Sequence, residues 1–204
     1  MASQKLIFWE VDAQVDFMLP GGKLYVPGAE KIIPNLKRLV TAAESSHSLL
    51  VSSADAHPPN DPEFQRFPPH CLKGSSGAEL IPEARAAKIL TIPNDPAFRV
   101  PTDLSGYDQI LLQKQTFDVF DNVHAGAIVD KIDRDAEFAI FGVVTEYCVH
   151  AAAKGLAKRG RKVRLVSDAI ETLNSEHGHR AVQELRGLGA QTITTNEAIA
   201  KSHG

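Results

Sequence analysis

Short apolar blocks alternate along the chain with stretches whose apolar positions recur every three or four residues, and turn-forming residues separate them. Leu6-Ile7-Phe8-Trp9-Glu10-Val11 is a nearly unbroken apolar run of strand length. After a Pro20-Gly21-Gly22 turn, Pro27-Gly28 opens a segment in which Ile32, Ile33, Leu36, Leu39 and Val40 share one helical face. This predicts a helix over about 29–45, with Pro34 tolerated in its first turns. Further strands are predicted over 48–53, 88–92, 109–113, 136–144, 162–166 and 191–194. Helices are predicted over 122–132 with Asn122 as cap, over 145–159 with Thr145 as cap, and over 175–188. Gly160 and Gly189 read as the stops of the last two. Alternation of strand and helix implies an α/β fold of three layers, αβα, with a mainly parallel sheet covered by helices on both faces.

Between the second and third strands the pattern lapses over about 55–80. Pro58, Pro59, Pro62, Pro68 and Pro69 fall here, among His, Asp and aromatic residues. A loop that long in a compact domain is usually functional or disordered, and its composition favours function. The chain's 204 residues suit a single domain, 1–204, carrying this loop as an insertion.

Composition narrows the partners. With 43% hydrophobic and 23% charged residues the chain is ordinary globular protein, and a net charge of -3 gives no basis for a nucleic-acid or anionic-membrane surface. No apolar run approaches the ~20 residues of a membrane span. Residues 1–5 lead into the first strand without a signal-peptide cleavage pattern. Cys71 and Cys148 provide no disulfide framework, so both are expected as reduced thiols in a cytoplasmic protein.

In a parallel sheet every strand delivers its C-terminal end to one edge. Asp12, Lys114 and Cys148 each follow a strand directly, so they are expected on that edge despite their separation in sequence. Cys148 falls in the first turn of the helix predicted from Thr145, where the peptide dipoles favour a thiolate. An ammonium could hold that thiolate and a carboxylate together, while the carboxylate carries the proton. The alternatives are an Asp12–Lys114 salt bridge at a strand end and a cysteine that only packs. Glu10 shares a strand face with Asp12, where a like charge would raise the proton affinity of its neighbour; it could equally be bonded elsewhere.

Asp55-Ala56-His57 places two ligand-type side chains on one side of an extended segment, and His70 follows thirteen residues later. Two imidazoles and a carboxylate suit Zn²⁺, Fe²⁺ or Mn²⁺ and leave coordination positions open; the alternative is a solvated loop. His177 and His179, in the first turns of a helix, point apart, and with His47, His124, His150 and His203 they are expected in surface or local roles. Cys71 is expected to be structural.

Taken in order, Asp12-x-Gln14-x-Asp16-Phe17, Pro20-Gly21-Gly22, Lys114 and Gly142-Val143-Val144-Thr145-x-x-Cys148-Val149 resemble the isochorismatase-like cysteine hydrolases, and among them the nicotinamidases. The resemblance runs over about 6–188. It implies that Asp12, Lys114 and Cys148 form a catalytic triad. It also implies a cis Val143–Val144 peptide and an oxyanion hole from the amides of Val144 and Cys148. A divalent metal, zinc first and iron or manganese after it, would be held by Asp55, His57 and His70, with Glu63 as a further carboxylate. Phe17 and Phe67 match positions that flank a pyridine ring, and Val143 and Tyr147 are expected beside the substrate. Ala56 and Phe67 depart from common family choices, which leaves ring specificity open.

The implied activity is hydrolysis of a small amide, nicotinamide to nicotinate and ammonia through a thioester, within NAD salvage. The alternatives are a metal-free cysteine amidase for another amide or carbamoyl compound, and a non-catalytic oligomeric scaffold. The expected partner is a small molecule, with no nucleic acid and no membrane; a homo-oligomer is compatible with the sequence.

Overall fold

The computed structural model describes residues 6–203, so residues 1–5, read above as lacking a cleavage pattern, lie outside the described residues. Seven parallel strands form one sheet in the order β3-β4-β2-β1-β5-β6-β7. They are β1 (Leu6–Val11), β2 (Leu50–Asp55), β3 (Ile89–Ile92), β4 (Gln109–Lys114), β5 (Glu137–Gly142), β6 (Lys162–Ile170) and β7 (Gln191–Ile193). All six residues of β1 are buried, as its apolar run requires of a central strand covered on both faces.

Alternate residues of β1 serve two cores. Leu6 and Phe8 pack with Phe17 and Met18 of the one-turn α1 (Val15–Met18) and with Leu36, Leu39 and Val40 of α2 (Ile33–Ser45), and α6 (Thr195–Ser202) adds Ala198 on this side. Ile7, Trp9 and Val11 pack on the other side with α3 (Ala125–Asp130), α4 (His150–Lys158) and α5 (Ser175–Gly187). The three layers expected from the alternation of elements are present. From β1 the chain runs to β2, on to the edge strand β3 and back to β4 between them, then crosses to β5, β6 and β7 on the other side, so the strand order reverses between β1 and β5. A crevice opens beyond the carboxyl ends of strands at such a point.

Several local expectations need correction. The helix predicted over 29–45 is split: a 3-10 turn, Ala29–Lys31, follows Gly28 at φ 96°, and α2 begins at Ile33 with Pro34 in its first turn, where no N–H is needed. Asn122 does not cap α3. Its amide nitrogen ties to the carbonyls of Ile92 and Gln113, and its oxygen accepts from His124 N–H, so the helix starts at Ala125. β6 continues to Ile170, beyond the expected end at 166. The C-terminal α6 was not anticipated, although its capping box, Thr194 with Glu197, is legible in the sequence.

Thr145 is not a helix cap either. It begins a single π-helical turn, Thr145–Val149, and both its N–H and its hydroxyl donate to the Glu171 carbonyl, at 2.8 and 2.7 Å. Cys148 lies inside this wide turn, and α4 starts only at His150. Gly160 at φ 71° ends that helix as expected.

Candidate active site

β1, β4 and the π-turn after β5 bring the three expected residues together. Lys114 Nζ lies 2.8 Å from Asp12 Oδ2 and 3.5 Å from Cys148 Sγ, and it also pairs with Asp55 Oδ1. Asp12 follows β1 in a left-handed conformation, φ 50°, that Asp tolerates better than most residues. Its Oδ1 accepts a hydrogen bond from Ser53 Oγ at 2.7 Å. The Val143–Val144 peptide is cis, as the resemblance implied. Just before it Gly142 adopts φ 115°, and a Cβ there would run into the backbone of Val11, so only glycine lets β5 leave the sheet this close to β1.

Opposing influences act on the sulfur. Cys148 is 6% exposed, and burial pushes its thiol well above the usual range; Lys114 pulls it back, while Asp12 and Asp55 push it further up. Lost hydration and the two neighbouring carboxyl groups thus work against the thiolate that the ammonium favours. Burial likewise raises Asp12, with Lys114 opposing and Asp55 reinforcing. Burial would raise Asp55 too, but Lys114 and the two imidazoles hold it below the usual carboxylate range. Burial works against the Lys114 charge, and Asp12, Asp55 and Cys148 more than restore it, so it remains an ammonium.

Asp55, His57 and His70 present ligand atoms within 4.8 Å of one another, all buried. Asp55 Oδ2 is 3.6 Å from His57 Nε2 and 3.7 Å from His70 Nε2. Neither Nε2 atom has a hydrogen-bond partner. The opposite ring nitrogens are held from behind, His57 Nδ1 by Asp61 at 2.9 Å and His70 Nδ1 by the Pro68 carbonyl at 2.8 Å. Buried polar atoms aimed at a common point, with their far sides anchored, are the arrangement a divalent ion requires. Glu63 stands further out, with Oε1 3.9 Å from His70 Nε2, and is not part of the tight cluster.

Three residues given no role from the sequence hold this arrangement. Gln14 clamps Asp55 in both directions, donating to its carbonyl at 2.8 Å and accepting from its N–H at 2.7 Å. Asp61 orients His57, and Ser53 orients Asp12. Gln14 belongs to the motif that carries the resemblance, but its partner lies across the sheet.

Above these groups is a pocket with about 390 Å³ of open space. Asp12, Asp55, His70 and Cys148 reach it from below, and Val143 and Val144 line it. Phe17 is both wall and core, buried and 5.4 Å ring to ring from His70. Phe67 and Tyr147 line the pocket as expected, meeting edge to face at 6.4 Å. Glu63 lines it too, and Leu24, Phe117 and Leu173, which complete the wall, were not anticipated, because each comes from a separate loop or turn. Ala56 is buried and is not among the lining residues. Among the described residues no helix is long and apolar enough to cross a membrane.

The isochorismatase-domain family model matches residues 6–197, nearly the whole chain. The protein belongs to the isochorismatase-domain family. Within it, the chain is 26% identical to the nicotinamidase of Escherichia coli over 206 residues, covering 90% of this chain and 92% of that one. Among solved structures, the pyrazinamidase of Pyrococcus horikoshii in complex with zinc superposes with a TM-score of 0.73 at 27% identity, over 93% of this chain and 99% of that one. The N-carbamoylsarcosine amidase of Thermoplasma acidophilum shares the fold, with a TM-score of 0.73 at 22% identity, over 94% of this chain and 96% of that one. As a member of this family, the protein is an amidohydrolase.

Proposed function

We propose that this isochorismatase-family enzyme hydrolyses nicotinamide to nicotinate and ammonia, with Cys148 as nucleophile. One observation carries the proposal: a single buried ammonium, Lys114 Nζ, touches the acid, the sulfur and the carboxylate of the imidazole cluster together. Asp12 takes the proton of the resting Cys148 thiol as the sulfur attacks the carboxamide carbon. The amides of Val144 and Cys148 receive the negative oxygen, worth on the order of 3 kcal/mol per donor. Asp12 then delivers its proton to the departing ammonia and leaves a Cys148 thioester. A water molecule enters, gives a proton to Asp12 and cleaves the thioester; Asp12 passes that proton to the departing sulfur, restoring the thiol, and the acid leaves as nicotinate, its own proton taken up by the released ammonia. Throughout, Lys114 balances whichever of the acid and the sulfur is charged.

Asp55, His57 and His70 would hold a divalent metal, zinc by preference for two imidazoles and one carboxylate, with iron or manganese as alternatives. When bound, the ion would supply an electrophilic anchor for a donor atom of the substrate. Phe17, Phe67 and Tyr147 surround a space suited to a flat ring, and Phe117 and Leu173 close its apolar rim. The partnerless imidazole nitrogens weigh against a metal-free amidase.

Ammonia release from nicotinamide and from pyrazinamide by metal-loaded protein is the direct test. Turnover that disappears in Cys148→Ala is expected; absence of turnover with both amides removes the substrate assignment, and an active Cys148→Ala removes the nucleophile.

A further inference from the structure

The short loop between β6 and α5, residues 171–174, is held by the same turn that carries Cys148. Thr145 takes its first residue, donating twice to the Glu171 carbonyl. Glu146, which no step of the proposed reaction uses, takes the other three. Its Oε1 accepts from the N–H groups of Leu173 at 3.1 Å and Asn174 at 2.9 Å, and its Oε2 accepts from the Thr172 hydroxyl at 2.5 Å. A carboxylate that receives three hydrogen bonds from consecutive residues fixes them more firmly than neutral acceptors would.

The side chain so placed is that of Leu173. It lines the pocket while 42% exposed, whereas the other lining residues are buried or half-buried, so it forms the outer margin of the wall. A leucine that exposed has little packing of its own, and loop segments with few buried contacts open readily. The hold on Leu173 therefore comes through its backbone, from Glu146. Beyond it the loop is fixed at α5, where the Asn174 side chain accepts from His177 N–H at 3.0 Å as the helix cap. Gly178 of that helix packs so close that a Cβ would stand 2.5 Å from Thr172 Oγ1. Next to Glu146 in the turn, the Tyr147 ring meets Phe117 and Phe67, at 5.0 and 6.4 Å, on the aromatic side of the pocket. One turn thus supplies the sulfur, an aromatic wall and the clamp on an apolar wall.

We propose that Glu146 is a positioning residue which, through Leu173, sets how large an amide reaches Cys148: the clamped loop admits a one-ring amide and turns away one with two fused rings. This role rests on the reading of Cys148 as the group that attacks the amide.

The test compares alkylation of Cys148 by N-phenyl- and N-(1-naphthyl)iodoacetamide, read by mass spectrometry, in the metal-loaded protein. Hydrolysis of nicotinamide and of quinoline-3-carboxamide is followed alongside. The naphthyl-to-phenyl rate ratio is expected to rise about tenfold in both Leu173→Ala and Glu146→Ala, as a wall that no longer resists added atoms allows. It should rise no further in the doubly substituted protein, because Glu146 acts through Leu173. Glu146→Gln, whose amide can still accept from both N–H groups and donate to Thr172 Oγ1, should restore the wild-type ratio. A Glu146→Ala that changes both rates by one factor, or effects that multiply in the double variant, overturn the proposal. Should Glu146→Ala not fold, Thr172→Val removes one of the three bonds and is expected to raise the ratio; an unchanged ratio there overturns it. Cys148 unlabelled in every variant removes both this role and the nucleophile. Alkylation needs no turnover, so the expected ratios in a protein that hydrolyses neither carboxamide support Glu146 and overturn the substrate assignment alone.

Discussion

Lys114 and Asp55 stand opposite one another in register on β4 and β2, and their side chains form an ion pair beneath the pocket. Asp55 thereby belongs to two groups at once: its Oδ1 faces the ammonium and its Oδ2 faces the imidazoles. The charge balance of the sulfur–acid pair and the geometry of the imidazole cluster are one structure, joined at adjacent strands.

Removing the ammonium should therefore damage both. Lys114→Met keeps most of the side-chain length and leaves the buried carboxyl groups of Asp12 and Asp55 without their counter-charge. A loss of about 3–5 kcal/mol in stability is expected, read by urea denaturation, together with loss of amidase activity. Full stability in the variant would contradict the bridging role of Lys114.

Ser53 holds Asp12 through its hydroxyl and takes no other part in the chemistry. Ser53→Ala should lower kcat roughly tenfold, the equivalent of one hydrogen bond to a charged group, and leave KM nearly unchanged. Steady-state kinetics separate the two parameters; a change confined to KM would count against a proton-carrying Asp12.

Asp61 holds His57 by the nitrogen turned away from the cluster. Asp61→Ala frees the ring, so zinc affinity should fall about 10–100-fold, measured by competition with a chromophoric chelator. Affinity equal to wild type would place the metal elsewhere.

Gly142 has no room for a side chain and a backbone angle that other residues rarely adopt. Gly142→Ala should cost about 1–3 kcal/mol and displace the turn that carries Cys148. Thermal unfolding and the rate of Cys148 alkylation read the two effects separately.

Away from the site, Arg164 and Lys201 flank Glu137 and hold its carboxyl down to about 2, below the ordinary value of 4.5. The stabilisation is fully present above pH 4.5 and is lost as pH falls through about 2, when Glu137 protonates. Arg164→Gln should lower stability by about 1 kcal/mol at neutral pH, with the difference vanishing near pH 2. Denaturation at the two pH values shows whether it does.

The strands, the three layers and the edge shared by Asp12, Lys114 and Cys148 were legible in the chain because each follows from local pattern plus the geometry of parallel sheets. Asp55, His57 and His70 were legible as residue types in a loop too long and too chemically loaded to be a simple connection. Glu63 was read together with them and stands outside their close cluster, since a matching residue type at a matching spacing does not fix the path of a proline-rich loop. Thr145 misled for a similar reason. A hydroxyl before an apolar segment looks like a cap, and only the approach of Glu171 from another strand end gave that hydroxyl a different partner.

By itself the sequence determined which groups are present and on which rim of the sheet they arrive, because periodicity and chain direction are local properties. The tertiary structure decided their electrostatic surroundings and their company. It buried Cys148 between two carboxyl groups and one ammonium, which act on its proton in opposite directions, and it set Gln14, Ser53 and Asp61 behind the reacting groups. Desolvation and hydrogen bonds between strands far apart in the chain arise only on folding, and no pattern along the chain encodes them.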